Sequence, residues 1–285
     1  MAMVAKDHGK IHAVPPFSFS RIPDTMTAKT QWLVRALNNK VVLGILFVIF
    51  ILVVWQLTYL GVRINKAVIP PPTVIAASFV NGIVSGTLIT NAAASLFRVV
   101  VGFLSAAVAG IGLGLLMGYY TLLRALLEPV VEILRPIPPI AWIPIAILIF
   151  GIGNAPAFFI VFIGAFFPIY LNTSFGALQL PQKFRNISRT LELSDYRYFK
   201  DVLLKFTLPY TFTGLRIGIG MAWMSVIAAE MIGAQNGLGY YILVNQITLN
   251  TSNVVAGMLV IGLLGYALSV IIKLAERYTV PWKGA

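Results

Sequence analysis

The sequence predicts an all-α integral membrane protein with six transmembrane helices and with both termini in the cytoplasm. Its 285 residues are 59% hydrophobic and only 11% charged, whereas a soluble domain carries about 25% charged residues. Six mostly apolar stretches each come close to or exceed the roughly 20 residues that a helix needs to cross a bilayer. The polar segments between these stretches hold their basic residues almost entirely on one side, which orients the chain.

Polar or proline-rich segments separate most of the predicted spans. The spans comprise residues 41–62, 92–119, 126–152, 155–177, 208–234 and 254–274. They divide the chain into a polar, basic cytoplasmic arm (residues 1–40) and a membrane domain (residues 41–285) that includes a polar cytoplasmic loop (residues 178–207). Trp55 and Tyr59, near the far end of the first span, are typical interface anchors.

The arm is not expected to be a cleavable signal peptide, because it is polar and lacks a short apolar core followed by small residues. Its prolines and basic residues favour disorder, and a regulatory contact is the alternative. His8 and His12 could share a helix face and bind a metal, but two histidines in a polar arm without a core are a weak basis for a metal site there. The chain has no cysteine, which excludes disulfide frameworks, thiolate metal sites and thiol nucleophiles.

Charge asymmetry sets the predicted orientation. With the N-terminus inside, the inner segments hold sixteen of the 21 basic residues, and the outer segments hold only Arg63 and Lys66. This is a strong positive-inside bias. It accounts for the net charge of +12 without a nucleic acid partner, so we predict none.

Two spans carry stripes of small residues. Such stripes let helix backbones approach closely in lipid, and they indicate either tight packing within the bundle or packing against a moving partner. In the second span the stripe is Gly102, Ala106, Gly110, Gly114 and Gly118, and in the fifth it is Gly214, Gly218 and Ala222.

The third span is rich in proline, which removes a backbone donor and clashes with the preceding turn. Irregular backbone at membrane depth is tolerated only where protein or a water-filled cavity satisfies it. We therefore expect this segment to be kinked, to face protein, and to line or gate a pore. Its prolines are Pro129, Pro136, Pro138, Pro139 and Pro144.

Charged residues within spans are costly and usually functional. Glu128, Glu132 and Arg135 share a helix face at spacings of four and three, so they could form a mutual ion pair. Arg216 and Glu230 are about 21 Å apart along one helix and cannot pair with each other. Each of these two needs a partner from another helix or from water. For Arg98 and Arg216, snorkelling to the interface is a rival explanation.

Two connecting segments are predicted to be helical. After Pro70, Pro71 and Pro72, Thr73 could cap a short helix on the outer face, with an apolar side of Val74, Ile75, Phe79 and Ile83. The inner loop is interpreted as two short helices, from about Pro181 to Leu191 and from a Ser194 cap onward. The apolar face of the second is Tyr196, Phe199, Leu203 and Phe206. The loop could be a solvated connector, but Leu191, Leu193 and Tyr196 around a cap would suit a soluble partner.

The inner loop resembles that of the permease subunits of bacterial ABC importers. The family hallmark is a cytoplasmic Glu-Ala-Ala, then a Gly, then Leu-Pro at the start of the next span. Here the segment from Asn186 to Trp223 reads NISRTLELSDYRYFKDVLLKFTLPYTFTGLRIGIGMAW. It departs from the hallmark at 186–188 (Asn-Ile-Ser for Glu-Ala-Ala), at Glu192 for the Gly, and at Lys205 for the first of two prolines. The matching residues are Arg189, Thr190, Leu191, Ser194, Phe199, Leu208, Pro209, Thr213, Gly214, Leu215, Arg216 and Trp223.

Further segments resemble one branch of these importers, which carries nitrate, cyanate, bicarbonate and sulfonates such as taurine. They are SLFRVVVGF (95–103), LRPIPPIAWIPIAILIFGIG (134–153) and AAEMIGAQNGLGYYI (228–242), together with IPPPTVIAASF. The resemblance covers nearly everything after residue 40, and it is strongest to nitrate permeases.

The resemblance implies the type I ABC importer permease fold in a bacterial inner membrane, and it implies partners. These are two ABC ATP-binding subunits, a second copy of this permease or a close relative, and a periplasmic solute-binding protein. ATP and Mg would be bound by the partner subunits, because this chain lacks a phosphate-cradling GxxxxGK[ST] loop. We predict no cofactor and no catalytic residue on the chain itself.

Roles in such an importer can be assigned to residues as hypotheses. Arg135 is the first candidate to face the anion path, where a basic residue lowers the cost of an anion in low dielectric. The further path candidates are Pro136, Arg98, Arg216 and Glu230. The residues implied to dock the ATP-binding subunits are Asn186, Arg189, Thr190, Leu191, Glu192, Leu193, Ser194 and Tyr196.

Two rival functions remain in view. A secondary carrier often shows inverted repeats with paired broken helices, but the proline cluster of the third span has no counterpart in the other half. A membrane anchor without transport activity would need neither a proline-rich span nor a docking loop.

Overall fold

The computed structural model describes residues 40–61 and 69–284, and the chain separates into two compact units at Val62. The predicted arm (residues 1–40, apart from Lys40) and the outer basic residues Arg63 and Lys66 lie outside the described residues. The first unit contributes helix α1 (Lys40–Gly61), whose segment Val42–Tyr59 is long and apolar enough to cross a membrane.

The second unit is built from helices joined by short connections. The helices are α2 (Pro72–Val84), α3 (Thr87–Tyr119), α4 (Thr121–Leu134), α5 (Ile143–Phe150), α6 (Asn154–Leu178), α7 (Gln182–Thr190), α8 (Asp195–Gly233), α9 (Leu238–Ile247) and α10 (Thr251–Thr279). The longest of these, α8, runs without interruption from the inner loop through the fifth predicted span. Short 3₁₀ turns lie at Pro139–Trp142 and Pro281–Gly284.

The predicted multi-pass architecture is confirmed, with five to six candidate spans in the part of the chain that the structure describes. The helices α1, α3, α6, α8 and α10 each meet the length and composition of a membrane span. The pair formed by α4 and the segment Pro139–Phe150 meets them only together, and it makes a sixth span if the bent pair crosses the membrane as one unit. Several helices run past the predicted ends, because apolar periodicity marks the lipid-facing length and not where the backbone stops being helical.

The third span is sharply bent, as its prolines predict. The helix α4 ends at Leu134, the chain breaks across Pro136 and Pro138, and the two halves meet at 89°. The 3₁₀ turn Pro139–Trp142 then leads into α5. Successive prolines cause this break, because each lacks a backbone donor and the residue before a proline disfavours the helical conformation.

The core of the second unit centres on α6, which packs extensively against both α3 and α8. The small residues of α3 allow this close approach. A Cβ placed on Gly102 would lie 2.6 Å from Val161, and one placed on Gly114 would lie 2.8 Å from Thr173. On α8, a Cβ placed on Gly214 would lie 3.0 Å from Ile169, and one placed on Gly218 would lie 2.9 Å from the same residue. The glycines of both stripes thus serve tight packing within this chain, which is the first of the two predicted roles.

The short helix after the three prolines is confirmed, but its predicted cap is wrong. The N-cap is Pro71, without a side-chain hydrogen bond, and Thr73 lies inside α2. A proline at the first helical position needs no donor there, so the three prolines start the helix without a hydroxyl cap. Ile75 is buried and Phe79 packs against the main core, whereas Val74 and Ile83 are exposed.

The second helix of the loop and the fifth span, which were predicted as separate elements, form one continuous helix. The helix that starts at Asp195 continues through Pro209 to Gly233, with one π-helical turn at Tyr198–Leu203. Leu203 and Thr207 are buried at a spacing of four, so helical burial continues across the expected boundary. The polar loop accordingly ends near Ser194. The helix α9 was not predicted, because its ten residues are too few for a span.

Candidate translocation path and coupling loop

A buried ion pair joins α3 to α8. The Arg98 guanidinium lies 2.7 Å from the Glu230 carboxylate, and the two residues are 2% and 0% exposed. The interhelical partner that the sequence required for Glu230 is therefore Arg98. Snorkelling of Arg98 is excluded, since its guanidinium is enclosed by protein.

The polar groups around this pair are hydrogen-bonded to it. Arg98 also donates to the Asn154 side chain over 2.9 Å and to the Asn236 backbone carbonyl over 2.8 Å, and it contacts the Asn236 side-chain oxygen. The second oxygen of Glu230 accepts from Ser95 at 2.8 Å and from the Gly239 backbone at 2.9 Å. Such full satisfaction is what makes a buried charge pair tolerable.

This cluster caps the N-terminus of α9. The first two backbone N–H groups of α9, at Leu238 and Gly239, donate to the Ser95 hydroxyl and to the Glu230 carboxylate. Gly237, just before the helix, has φ 110° and donates to Asn91. A side chain at Gly237 would collide with the Glu230 carboxylate, so the position requires glycine.

The cluster could have been found only in part from sequence. Asn91, Ser95 and Arg98 follow one another at spacings of four and three, which places them on one face of α3. Nothing in the sequence, however, connects that face to Asn154 or Asn236. Because Arg98 and Glu230 are buried here, their predicted place on the path stays a prediction, and neither enters the function proposed below.

Arg216 pairs with Glu276 of α10. Its side chain is 46% exposed and that of Glu276 is 10% exposed, so the pair lies at the edge of the bundle. Arg216 therefore has an interhelical partner, and its snorkelling to the interface stays a prediction. Its predicted role in the path stays a prediction.

The predicted face of Glu128, Glu132 and Arg135 exists, but the mutual ion pair does not form. Glu128 instead lies 3.8 Å from Arg124, one turn earlier on α4. Among residues 40–61 and 69–284, Glu132 and Arg135 have no ion-pair partner within 4.0 Å. Arg135 lies directly after the last residue of α4, and Pro136 follows it at the break.

Arg135 lies where two clefts meet along α6. The inner cleft, with a volume of about 170 Å³, follows the end of α6 nearer the loop and contains both carboxylates of α4. The middle cleft, of about 290 Å³, follows the central part of α6 and is mostly apolar. Arg135 and Leu171 line both. The other residues of the inner cleft are Glu128, Val131, Glu132, Tyr170, Ser174, Phe175 and Leu178, and those of the middle cleft are Ile137, Pro139, Ile163, Gly164, Phe167, Pro168, Asn172, Ile217 and Met221.

The first helix of the loop, α7, ends in a hydrogen-bonded C-cap. At the end of α7 the backbone N–H of Leu193 donates to the Ser188 carbonyl, and that of Glu192 donates to the Arg189 carbonyl, each over 3.0 Å. This is a Schellman motif, whose penultimate position favours glycine. Glu192 occupies that position with φ 49°, so it holds a left-handed conformation at the place where the resembling family has Gly.

Most of the predicted docking residues form one exposed surface. Leu191 is 64% exposed and Tyr196 is 72% exposed, whereas Leu193 is partly buried. The Ser194 cap is confirmed, since its hydroxyl accepts from the Arg197 backbone at 3.5 Å. The sequence placed Tyr196 on the apolar face of the second loop helix. In the structure Tyr196 is exposed, and Tyr198 is buried instead. The remaining members, Asn186, Arg189, Thr190 and Glu192, are exposed. Docking itself stays a prediction.

The loop is tied to α3. The Tyr119 hydroxyl donates to the Asp195 carboxylate over 3.0 Å, and the Tyr119 ring packs against Tyr198 and Phe199. These contacts join the loop to the end of α3 and to the start of α8. No group of three or more metal-ligating side chains occurs in the described ranges.

The comparisons with known proteins agree with this arrangement. Residues 110–283 match the family of binding-protein-dependent transport system inner membrane components. A nitrate import permease of Synechocystis sp. is 38% identical over 86% of this chain and 91% of its own length. A bicarbonate transport system permease of Synechococcus elongatus is 39% identical over 65% of this chain and 67% of its own.

A solved structure shares the fold. The MetNI methionine ABC transporter in an inward-facing conformation matches with a TM-score of 0.58, at 21% identity, over 66% of this chain and 93% of the matched chain. The family match covers more than half of the chain. The chain therefore belongs to the inner membrane components of binding-protein-dependent transport systems, as a multi-pass ABC importer permease of the nitrate and bicarbonate branch.

Proposed function

We propose that this chain forms the membrane path for a small monovalent anion, nitrate, in an ATP-driven importer. The observation that carries the proposal is the position of Arg135, a cation without an ion-pair partner among the described residues, at the junction of two clefts along α6. An anion in a low-dielectric path needs an opposite charge. Nitrate is favoured because the Synechocystis relative, similar over most of both chains, is a nitrate import permease.

In this proposal two ABC ATP-binding subunits dock at the exposed surface of residues 186–196 and bind ATP and Mg. The loop end of the bundle faces the cytoplasm, two copies of the chain enclose the path, and a periplasmic solute-binding protein delivers the anion. ATP-dependent closure of the partners moves the loops, and the contact of Tyr119 with Asp195 passes this movement to α3 and α8. The requirement is a two-state element that both ligands bias.

Bicarbonate is the second candidate, because the Synechococcus relative is a bicarbonate transport system permease at similar identity. Both ions are small, planar monoanions, so one arginine in an apolar cleft suits either. The similarity to that relative covers less of both chains than the similarity to the nitrate permease. For this reason nitrate stands first.

The test is uptake of labelled nitrate, bicarbonate and taurine by cells with and without this chain, with and without ATP depletion. We expect chain-dependent nitrate uptake that is lost on ATP depletion. Loss of bicarbonate or taurine uptake alone would keep the importer and change its cargo. Chain-dependent uptake that survives ATP depletion on an ion gradient would contradict the ATP-driven proposal.

The path assignment is tested with Arg135→Gln, with Arg277→Gln as the control on an exposed position of α10. We expect Arg135→Gln to raise the KM for uptake by about tenfold or more, which corresponds to at least about 1.4 kcal/mol. Arg277→Gln should leave it unchanged. If Arg135→Gln keeps the wild-type KM, the assignment of Arg135 to the path is wrong.

A further inference from the structure

We propose that Glu132 is a positioning residue for anion release: it competes with the transported anion for Arg135 and so frees the anion toward the loop end. The inference rests on the proposed function, because it requires the anion to contact Arg135. It goes beyond that function by assigning a role to a carboxylate, which by charge alone would be expected to oppose anion passage.

The first support is the order of charges along the path. Arg135 borders both clefts, whereas Glu132 and Glu128 border only the inner one. An anion that moves along α6 toward the loop therefore meets the guanidinium before it meets the carboxylates. The charges change sign along the direction of import, which is what a bind-then-release step needs.

The second support is that Glu132 has no ion-pair partner among the described residues, whereas Glu128 has one. Glu128 is 3.8 Å from Arg124, and that neighbour reduces its pull on Arg135. Glu132 and Arg135 are both exposed and have no ion-pair partner in the described part of the chain. They are three residues apart on one helix end, a spacing at which opposite charges can reach each other by rotamer change alone.

The third support is energetic. Conduction requires an ion site that is favourable enough to enter and weak enough to leave. An anion bound to Arg135 from the side of the middle cleft would leave slowly, since that mostly apolar cleft offers few polar groups to replace the guanidinium. A carboxylate that replaces the anion at the guanidinium removes that obstacle. The displaced anion is then in an inner cleft whose one lining cation, among the described residues, is already paired.

The experiment compares four variants in the complete transporter with its ATP-binding and solute-binding partners: Glu132→Gln, Arg135→Gln, their double variant, and Asp201→Asn. Asp201→Asn is the control, because Asp201 is an exposed carboxylate of α8 outside both clefts that pairs with Lys205. Assembly is checked by size exclusion. Glu132 is exposed and unpaired within the described ranges, so we expect Glu132→Gln to assemble like the wild type.

We expect Glu132→Gln to lower the maximal uptake rate about tenfold and to lower KM, because the anion binds well but leaves slowly. Arg135→Gln should raise KM instead. In the double variant the loss of Glu132 should add little, because no guanidinium remains for it to take. Asp201→Asn should behave as the wild type.

The outcomes separate the two claims. If Glu132→Gln keeps the wild-type rate and KM while Arg135→Gln has a raised KM, this inference is overturned and the proposed function stands. A wild-type KM in Arg135→Gln would remove the path assignment on which both rest. A fall in rate with a raised KM in Glu132→Gln would also overturn it, since Glu132 would then help binding and not release.

Discussion

Arg98 and Glu230 are separated by 132 residues in the sequence, yet their side chains meet at 2.7 Å in the interior of the bundle. Their pair fastens α3 to α8, and through the Glu230 carboxylate it also holds the start of α9. Because both residues are enclosed, each depends on the other for its charge to be tolerated.

Removing one partner of this pair should be strongly destabilising. We expect Glu230→Leu to cost about 3–5 kcal/mol, because it leaves the Arg98 charge buried and uncompensated. The double variant Arg98→Met with Glu230→Leu should be less destabilised than Glu230→Leu alone. The measurement is thermal unfolding in detergent. A double variant as unstable as the sum of its two singles would show that the charges do not act as a pair.

A comparison is provided by Arg216 and Glu276, where the arginine is about half exposed. Arg216→Met should cost less than Glu230→Leu, because exposed ion pairs contribute roughly 0–1 kcal/mol. Equal losses in both variants would mean that burial is not what makes the Arg98 pair important.

The glycine stripe of α3 makes a prediction with a control on the same helix. In Gly114→Ala the new Cβ would lie 2.8 Å from Thr173 and 2.9 Å from the Tyr170 carbonyl. We expect a loss of about 1–3 kcal/mol from overpacking. In Gly112→Ala the new Cβ meets nothing within 4 Å, so that variant should be neutral or slightly more stable. Equal stability of both variants would contradict the close packing of α3 on α6.

The helix end at Glu192 predicts a stabilising substitution. Glu192 has φ 49°, a conformation that costs an L-residue about 1–2 kcal/mol and costs glycine nothing comparable. Glu192→Gly should therefore raise the unfolding temperature. Leu249→Gly should do the same, because Leu249 ends α9 with φ 57° in an equivalent motif. Thr190→Gly, inside the last turn of α7, should lower the stability by about 0.5–1 kcal/mol.

The exposed loop surface predicts loss of the ATP-binding partners on charge insertion. Leu191→Asp should release them, because a charge in the centre of an apolar contact must be desolvated without a partner. Leu249→Asp is the control, since Leu249 is similarly exposed, at 73% against 64%, but lies outside the loop. The measurement is co-elution of the partners on size exclusion. An intact complex in Leu191→Asp would contradict docking at this surface.

Particular residues show how far sequence reasoning reached. Span number followed from apolar length, and the bend of the third span followed from its prolines, since both depend on local chemistry. The cap at Ser194 was correct for the same reason. The Thr73 cap was wrong, because proline can start a helix unaided. The second loop helix and the fifth span were predicted as separate elements, but burial of Leu203 and Thr207 continues α8 across the boundary between them.

The sequence by itself determined that this chain crosses the membrane several times, that its third span is broken, and that it is an ABC importer permease. The first two properties follow from the requirements of the bilayer. A span needs a minimum apolar length, and backbone groups at membrane depth must be hydrogen-bonded within the protein. The tertiary structure alone decided which charges are paired. It enclosed Arg98 with Glu230 and left Arg135 at the junction of two clefts. The physical reason is that the partners of a charge are set by which helix faces pack together, and residues far apart in sequence supply those faces.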